Sequence, residues 1–160
     1  MKTLILYASK TGTTQDCARS LAQKIPDSTL VDLCAQKPDP SGYDQVIVGG
    51  SIRMGALHVD ARQYLEGAQS ALMKKRLGVF ICAAYEEKAE QLFAANVPQA
   101  LRAHAVECAC FGGELRMDRL RGFEKLIARM AMRASKGERA QMPHVHPERI
   151  EAFAARFVEA

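Results

Sequence analysis

The 160-residue chain contains no tryptophan, so no indole is available to stack on a planar ligand. It also lacks an apolar run long enough to span a bilayer. The opening "MKTLILYA" is too short for a secretory signal, and no small-residue cleavage pattern follows it, which favours a first strand and a cytoplasmic protein. Its five cysteines, Cys17, Cys34, Cys82, Cys108 and Cys110, are odd in number and never spaced CxxC. They read as free thiols rather than as a disulfide framework or a zinc cluster. Two phosphate-binding signatures are absent as well, G-x-x-x-x-G-K-[ST] for nucleoside triphosphates and G-x-G-x-x-G for dinucleotides.

What the chain does have is the composition of one globular domain, 48% hydrophobic and 25% charged. A chain of this size buries roughly 70% of its unfolded surface. The net charge of +4 is unevenly placed. Residues 116–139 carry eight basic side chains against three acidic ones, more than the whole net charge, so the remainder is close to neutral.

Strand and helix patterns alternate. β-rich apolar segments fall at 2–8, 28–33, 45–51, 76–84 and 105–113, and helical periodicity at 15–24, 58–74, 86–102, across the basic stretch, and at 148–158. Such alternation predicts an α/β, three-layer sandwich: a five-stranded parallel sheet in order 2-1-3-4-5 with helices on both faces. That order puts a ligand crevice at the carboxyl ends of strands one and three. The loops that meet there, 9–14 and 51–58, are both unusual in composition.

The first reads "SKTGTT" between a strand and a helix start. Backbone N–H groups at a helix N-terminus form an anion site, Ser9, Thr11, Thr13 and Thr14 add hydroxyls, and Gly12 lets the backbone approach closely. The competing account is a polar turn in which Thr14 caps the helix beginning at Gln15. A receiver domain, which shares this strand order, would need acidic residues where Tyr7, Ala8 and Ser9 stand.

"SKTGTT" resembles the phosphate loop of the flavodoxin family, whose cofactor is FMN. "GGSIRMGALH" resembles the loop ending the third strand in the quinone-dependent protoporphyrinogen dehydrogenase branch of that family, and "GGELRMDRLRGFEKLIARMAMRASKGE" resembles the basic insert of those enzymes. The resemblance covers nearly the whole chain. It implies FMN binding by Ser9, Lys10, Thr11, Gly12, Thr13 and Thr14 at the phosphate. Ser51, Ile52, Arg53, Met54 and Gly55 would lie beside the isoalloxazine ring, with Ala83, Ala84 and Tyr85 on its other side. A Gly55 peptide there is free to turn its carbonyl toward the flavin N5–H on reduction. Two departures stand out: Met54 replaces the family's aromatic residue, and the chain is basic where many electron-carrying flavodoxins are acidic.

Arg53 is the candidate catalytic residue, placed to stabilise a reduced anionic ring or to hold a substrate carboxylate, such as a porphyrin propionate; the plain alternative is a surface arginine. The resemblance implies a flavin-dependent oxidoreductase with a redox partner or quinone acceptor. The alternatives are an electron carrier without its own substrate, and an interaction module that has lost the flavin. His58 reads as the start of a helix rather than a catalyst, and the His144–His146 pair is too sparse for a metal, so no metal is expected. In the basic stretch Leu120, Phe123, Ile127, Met130 and Ala134 share a helical face, which suits packing on the domain or peripheral contact with an anionic membrane. Without interleaved aromatics it does not suggest nucleic acid binding.

Overall fold

The structure is a computed structural model that describes residues 1–113 and 144–158, together with residues 122, 126 and 130. The basic segment expected at 116–140 therefore lies outside the described residues, apart from those three positions.

The apolar run near the N-terminus forms β1 (Thr3–Ala8), buried along its whole length. It is followed by α1 (Thr13–Lys24), β2 (Ser28–Asp32), β3 (Gln45–Arg53) and a two-residue β4 (Ala56–Leu57). Then come α2 (Val59–Gly67), α3 (Gln69–Leu72), β5 (Arg76–Cys82), α4 (Ala89–Asn96), α5 (Gln99–His104), β6 (Glu107–Cys110) and α6 (Pro147–Val158). The parallel sheet runs β2-β1-β3-β5-β6, the expected order, with β4 added antiparallel to the end of β3.

Successive residues of β1 point to opposite faces, so its period of two feeds two cores. Leu4, Leu6 and Ala8 join Val46, Val48, Leu65, Leu77 and Leu101 on the side covered by α2, α3, α4 and α5. Ile5 and Tyr7 join Ile47, Phe80 and Phe111 on the side covered by α1 and α6. There a row of rings, Phe80–Phe111–Phe153–Phe157, packs at centroid separations of 4.8, 5.4 and 5.2 Å. Gln45 ties the sheet to α6, its Nε2 donating to Thr3 Oγ1 at 2.9 Å and to the Phe157 carbonyl at 3.0 Å.

Two sequence-predicted helices are subdivided and one loop is structured. The helix expected at 58–74 breaks after Gly67 into α2 and α3, and that expected at 86–102 becomes a 3-10 turn (Glu86–Lys88), α4 and α5, with Pro98 starting the last piece. Proline lacks the N–H that would continue α4 and fits the start of a new helix. The loop expected after the third strand instead folds back as the β3–β4 hairpin.

Candidate functional site

Register brings three loops to one place. Ala8 pairs with Gly50, and Ser51 pairs with Cys82, so β1, β3 and β5 finish nearly level. The loops that follow, starting at Ser9, Met54 and Ala83, share the carboxyl edge of the sheet, and the order reverses between β1 and β3.

In the first loop Gly12, not Thr14, is the N-cap of α1, with φ of 98° and no side-chain capping bond. A left-handed backbone there suits glycine and few other residues. Ser9 Oγ accepts the Gly12 N–H at 2.9 Å and draws the loop into a tight turn. Thr13 and Thr14 lie inside the first helical turn and are buried, and neither Oγ1 has a hydrogen-bond partner. Thr14 sits near the Cys82 thiol without completing a bond to it. Buried hydroxyls are normally satisfied, and each one left alone costs about 1–3 kcal/mol. Two adjacent orphans beside first-turn amides, which have no intrahelical acceptor, form a donor set for a dianionic phosphate. The residues present fit a phosphate group, and the plain capping account of Thr14 fails.

The second loop is a β-hairpin. Ile52 pairs with Leu57 and Arg53 with Ala56, leaving Met54 and Gly55 as a two-residue turn. Their φ values, 52° and 79°, are both positive, the pattern of a type I′ turn. Gly55 adopts it without strain, whereas Met54 does so at a cost of about 1 kcal/mol or more while its side chain stays 82% exposed. The Ser51 hydroxyl is a third buried group without a partner. Asn96, at the end of α4 and 8% exposed, clamps the hairpin from below. Its Nδ2 donates to the Gly55 carbonyl at 3.0 Å and to the Leu92 carbonyl at 2.9 Å, and its Oδ1 accepts the Leu57 N–H at 3.0 Å. The Gly55 carbonyl, expected to be free to turn, is held.

The sequence matches the flavodoxin domain family over residues 4–141. The chain belongs to that family. Among curated proteins it is 24% identical to protoporphyrinogen IX dehydrogenase [quinone] of Escherichia coli strain K12, over 96% of this chain and 93% of that one. Among solved structures it is similar to a short-chain flavodoxin associated with a PDU bacterial microcompartment, with 16% identity and a TM-score of 0.60 over 99% of this chain and 98% of that one. A Lactobacillus acidophilus NCFM flavoprotein solved in complex with FMN matches at 17% identity and a TM-score of 0.55, over 68% of this chain and 92% of that one.

In this flavodoxin domain the third loop is rigid at its root and open at its tip. Ala83 is buried, and its N–H donates to the Gly112 carbonyl at 2.9 Å. A side chain at Gly113 would meet the Ala83 carbonyl carbon at 2.9 Å, so the two segments touch backbone to backbone. Tyr85 is 46% exposed at the tip. Beside it lies a group that the sequence did not reveal. His146 Nε2 approaches Glu86 Oε2 at 2.5 Å, Arg149 Nη2 approaches Glu86 Oε1 at 3.4 Å, and Arg149 Nη1 donates to the Cys110 carbonyl at 3.1 Å. The His144–His146 spacing was visible, but its partner Glu86 lies sixty residues away. Asn96 escaped for a similar reason: an amide at a helix end has no signature until a hairpin is folded against it. Under the loops, hydrogen bonding to Cys17 and then burial raise the Cys82 pKa well above its ordinary value, so that thiol stays protonated.

Proposed function

We propose that this flavodoxin domain is an FMN-dependent oxidoreductase that oxidises a porphyrinogen-type substrate and passes the electrons to a quinone. FMN is its cofactor. The reading is carried by one observation: three buried hydroxyls without partners, on Thr13, Thr14 and Ser51, sit at the reversal point of the sheet. Bound FMN supplies a reversible two-electron acceptor, and the chain binds, orients and shields it.

Ser9, Lys10, Thr11, Gly12, Thr13 and Thr14 hold the phosphate. The hairpin residues Ser51, Ile52, Arg53, Met54 and Gly55 flank one side of the ring, and Ala83, Ala84 and Tyr85 the other. A strained, exposed Met54 is explained by a flat apolar ligand, which its flexible thioether covers in place of an aromatic side chain. Arg53, in the strand leading to that turn, holds a substrate carboxylate or balances negative charge on the ring. The similarity to the E. coli dehydrogenase supports the choice of substrate and acceptor. The basic stretch at 116–139 supports docking on an anionic surface, where a quinone is dissolved. Among the described residues no helix is long and apolar enough to cross a membrane.

The test has two stages. Purified chain is offered excess FMN, desalted, and read by visible absorbance; loss of all flavin would end the redox reading. Loaded protein is then given protoporphyrinogen with a quinone. Turnover supports the dehydrogenase, whereas none, alongside rapid reduction by a reductase, makes the protein an electron carrier.

A further inference from the structure

A second cluster lies at the carboxyl end of β2, built by the turn that follows it and the N-terminus of α2. Cys34 Sγ stands 3.7 Å from His58 Nε2. One ligating atom each from Cys34, His58 and Asp60 falls within 4.8 Å of the others. Asp32 Oδ1 accepts the Cys34 N–H at 2.9 Å, and the carboxylates of Asp60 and Asp32 both lie beside the thiol. A tetrahedral zinc ion, with Zn–S about 2.3 Å and Zn–N about 2.0–2.1 Å, sets sulfur and nitrogen about 3.6 Å apart. The observed separation is within ~0.2 Å of that value.

The charge pattern points the same way. Two carboxylates converge on a single thiol, and the nearby cation is Lys37, whose Nζ lies 3.1 Å from Asp60 Oδ1. The negative field of the two carboxylates attracts a dication, which takes the place of the thiol proton. His58 is pre-oriented as the N-cap of α2, its Nδ1 accepting the Asp60 N–H at 3.2 Å. Ligation through Nε2 requires the ring proton on Nδ1, so metal binding exchanges the Asp60 N–H cap for a bond to Asp60 Oδ2, which lies 3.7 Å from Nδ1 in the metal-free chain and must close in.

We propose that Cys34 and His58, with a carboxylate of Asp60 or Asp32, form a binding site for a borderline divalent cation of the zinc class. Thiolate and imidazole donors select such a metal over magnesium or calcium, which prefer all-oxygen sets. The site is separate from the FMN crevice, although the His58 N–H donates to the Ser51 carbonyl at 2.9 Å at the base of the hairpin.

The experiment titrates Zn²⁺ calorimetrically, and Co²⁺ by difference absorbance, into the chain with and without FMN. One metal per chain and a sulfur-to-cobalt charge-transfer band are expected in both states. Cys34→Ser should abolish the band, and His58→Asn should weaken binding at least tenfold; asparagine still caps α2, and melting curves check that both variants fold. No heat and no band would overturn the site, as would a band that survives Cys34→Ser or an affinity unchanged in His58→Asn. Binding that survives Cys34→Ser but is lost in His144→Ala would place the metal on the His144–His146 pair and also overturn it.

Discussion

Asn96 and Gly55 are 41 positions apart in sequence and joined by a hydrogen bond of 3.0 Å. That bond, with the one from Leu57 N–H to Asn96 Oδ1, makes the hairpin turn an extension of α4 rather than a loose loop. Asn96→Leu leaves a buried amide and carbonyl unpaired, each costing about 1–3 kcal/mol. The expected result is a loss of about 2 kcal/mol or more in urea unfolding and faster amide exchange at Leu57. Asn96→Asp keeps an acceptor for Leu57 but loses the donor to Gly55. It should therefore free the Gly55 carbonyl selectively, changing the reduction potential of bound FMN more than its affinity.

Thr14→Val gives an unusual combination. Removing a hydroxyl that has no partner relieves an unmet desolvation cost, so the flavin-free protein should be as stable as the parent or slightly more so. The same change deletes a hydrogen bond to a charged phosphate, about 1.5–3 kcal/mol, and should weaken FMN binding roughly tenfold to a hundredfold. Thermal melting and FMN fluorescence quenching read the two effects separately. A stability loss with unchanged affinity would mean that Thr14 serves the core, not the ligand.

Met54→Asn tests the turn in the same spirit. Asparagine tolerates a positive φ, so this variant should gain about 0.5–1 kcal/mol in unfolding free energy. It should also bind FMN more weakly and leave the ring more accessible to a collisional quencher. Equal quenching in parent and variant would remove Met54 from the ring's environment.

High pH supplies a fourth test. Tyr64 donates its hydroxyl to the Pro38 carbonyl at 2.8 Å, and burial, then Asp39, raise its pKa from 10.0 to about 12. Cys34 rises from 9.0 to about 11. The unfolded chain loses these protons first, so from about pH 9 upward the folded state binds more protons and stability falls as pH rises. Tyr64→Phe should flatten the upper part of that decline, and Cys34→Ser the lower part. Urea midpoints measured between about pH 8 and pH 11 would show it. Cys34, though exposed, should alkylate slowly until alkaline pH, because the thiolate is the reactive form.

The fold was readable because β1, β3 and β5 are long β-branched or apolar runs, buried on both faces and separated by helical spacing. The loop after β1 stands out in the sequence because its composition is local, six consecutive residues between a strand and a helix. The hairpin does not: "MG" is a poor turn signal beside Asn-Gly or Asp-Gly, since methionine adopts the required backbone only under constraint. Pro98 is visible in the sequence, yet the apolar spacing on either side keeps the same face and predicts one helix through it. Asn96, the Glu86–His146–Arg149 group and the Cys34–His58–Asp60 cluster depend on contacts across 24 to 63 residues, which no spacing rule captures.

Residues 112 and 145 form a β-bridge, and the His146 N–H donates to the Phe111 carbonyl at 2.8 Å. The two stubs of the stretch from 114 to 143 are thus stapled side by side by residues outside it. Among the described residues the sheet and α6 meet directly through Phe80, Phe111, Phe153 and Phe157, and the entropy of closing a loop between such stubs changes only slowly with its length. The position has the geometry of an insertion port: a replacement of different length grafted between the stubs should leave the Gly112–Val145 bridge in place, as amide exchange at His146 would report.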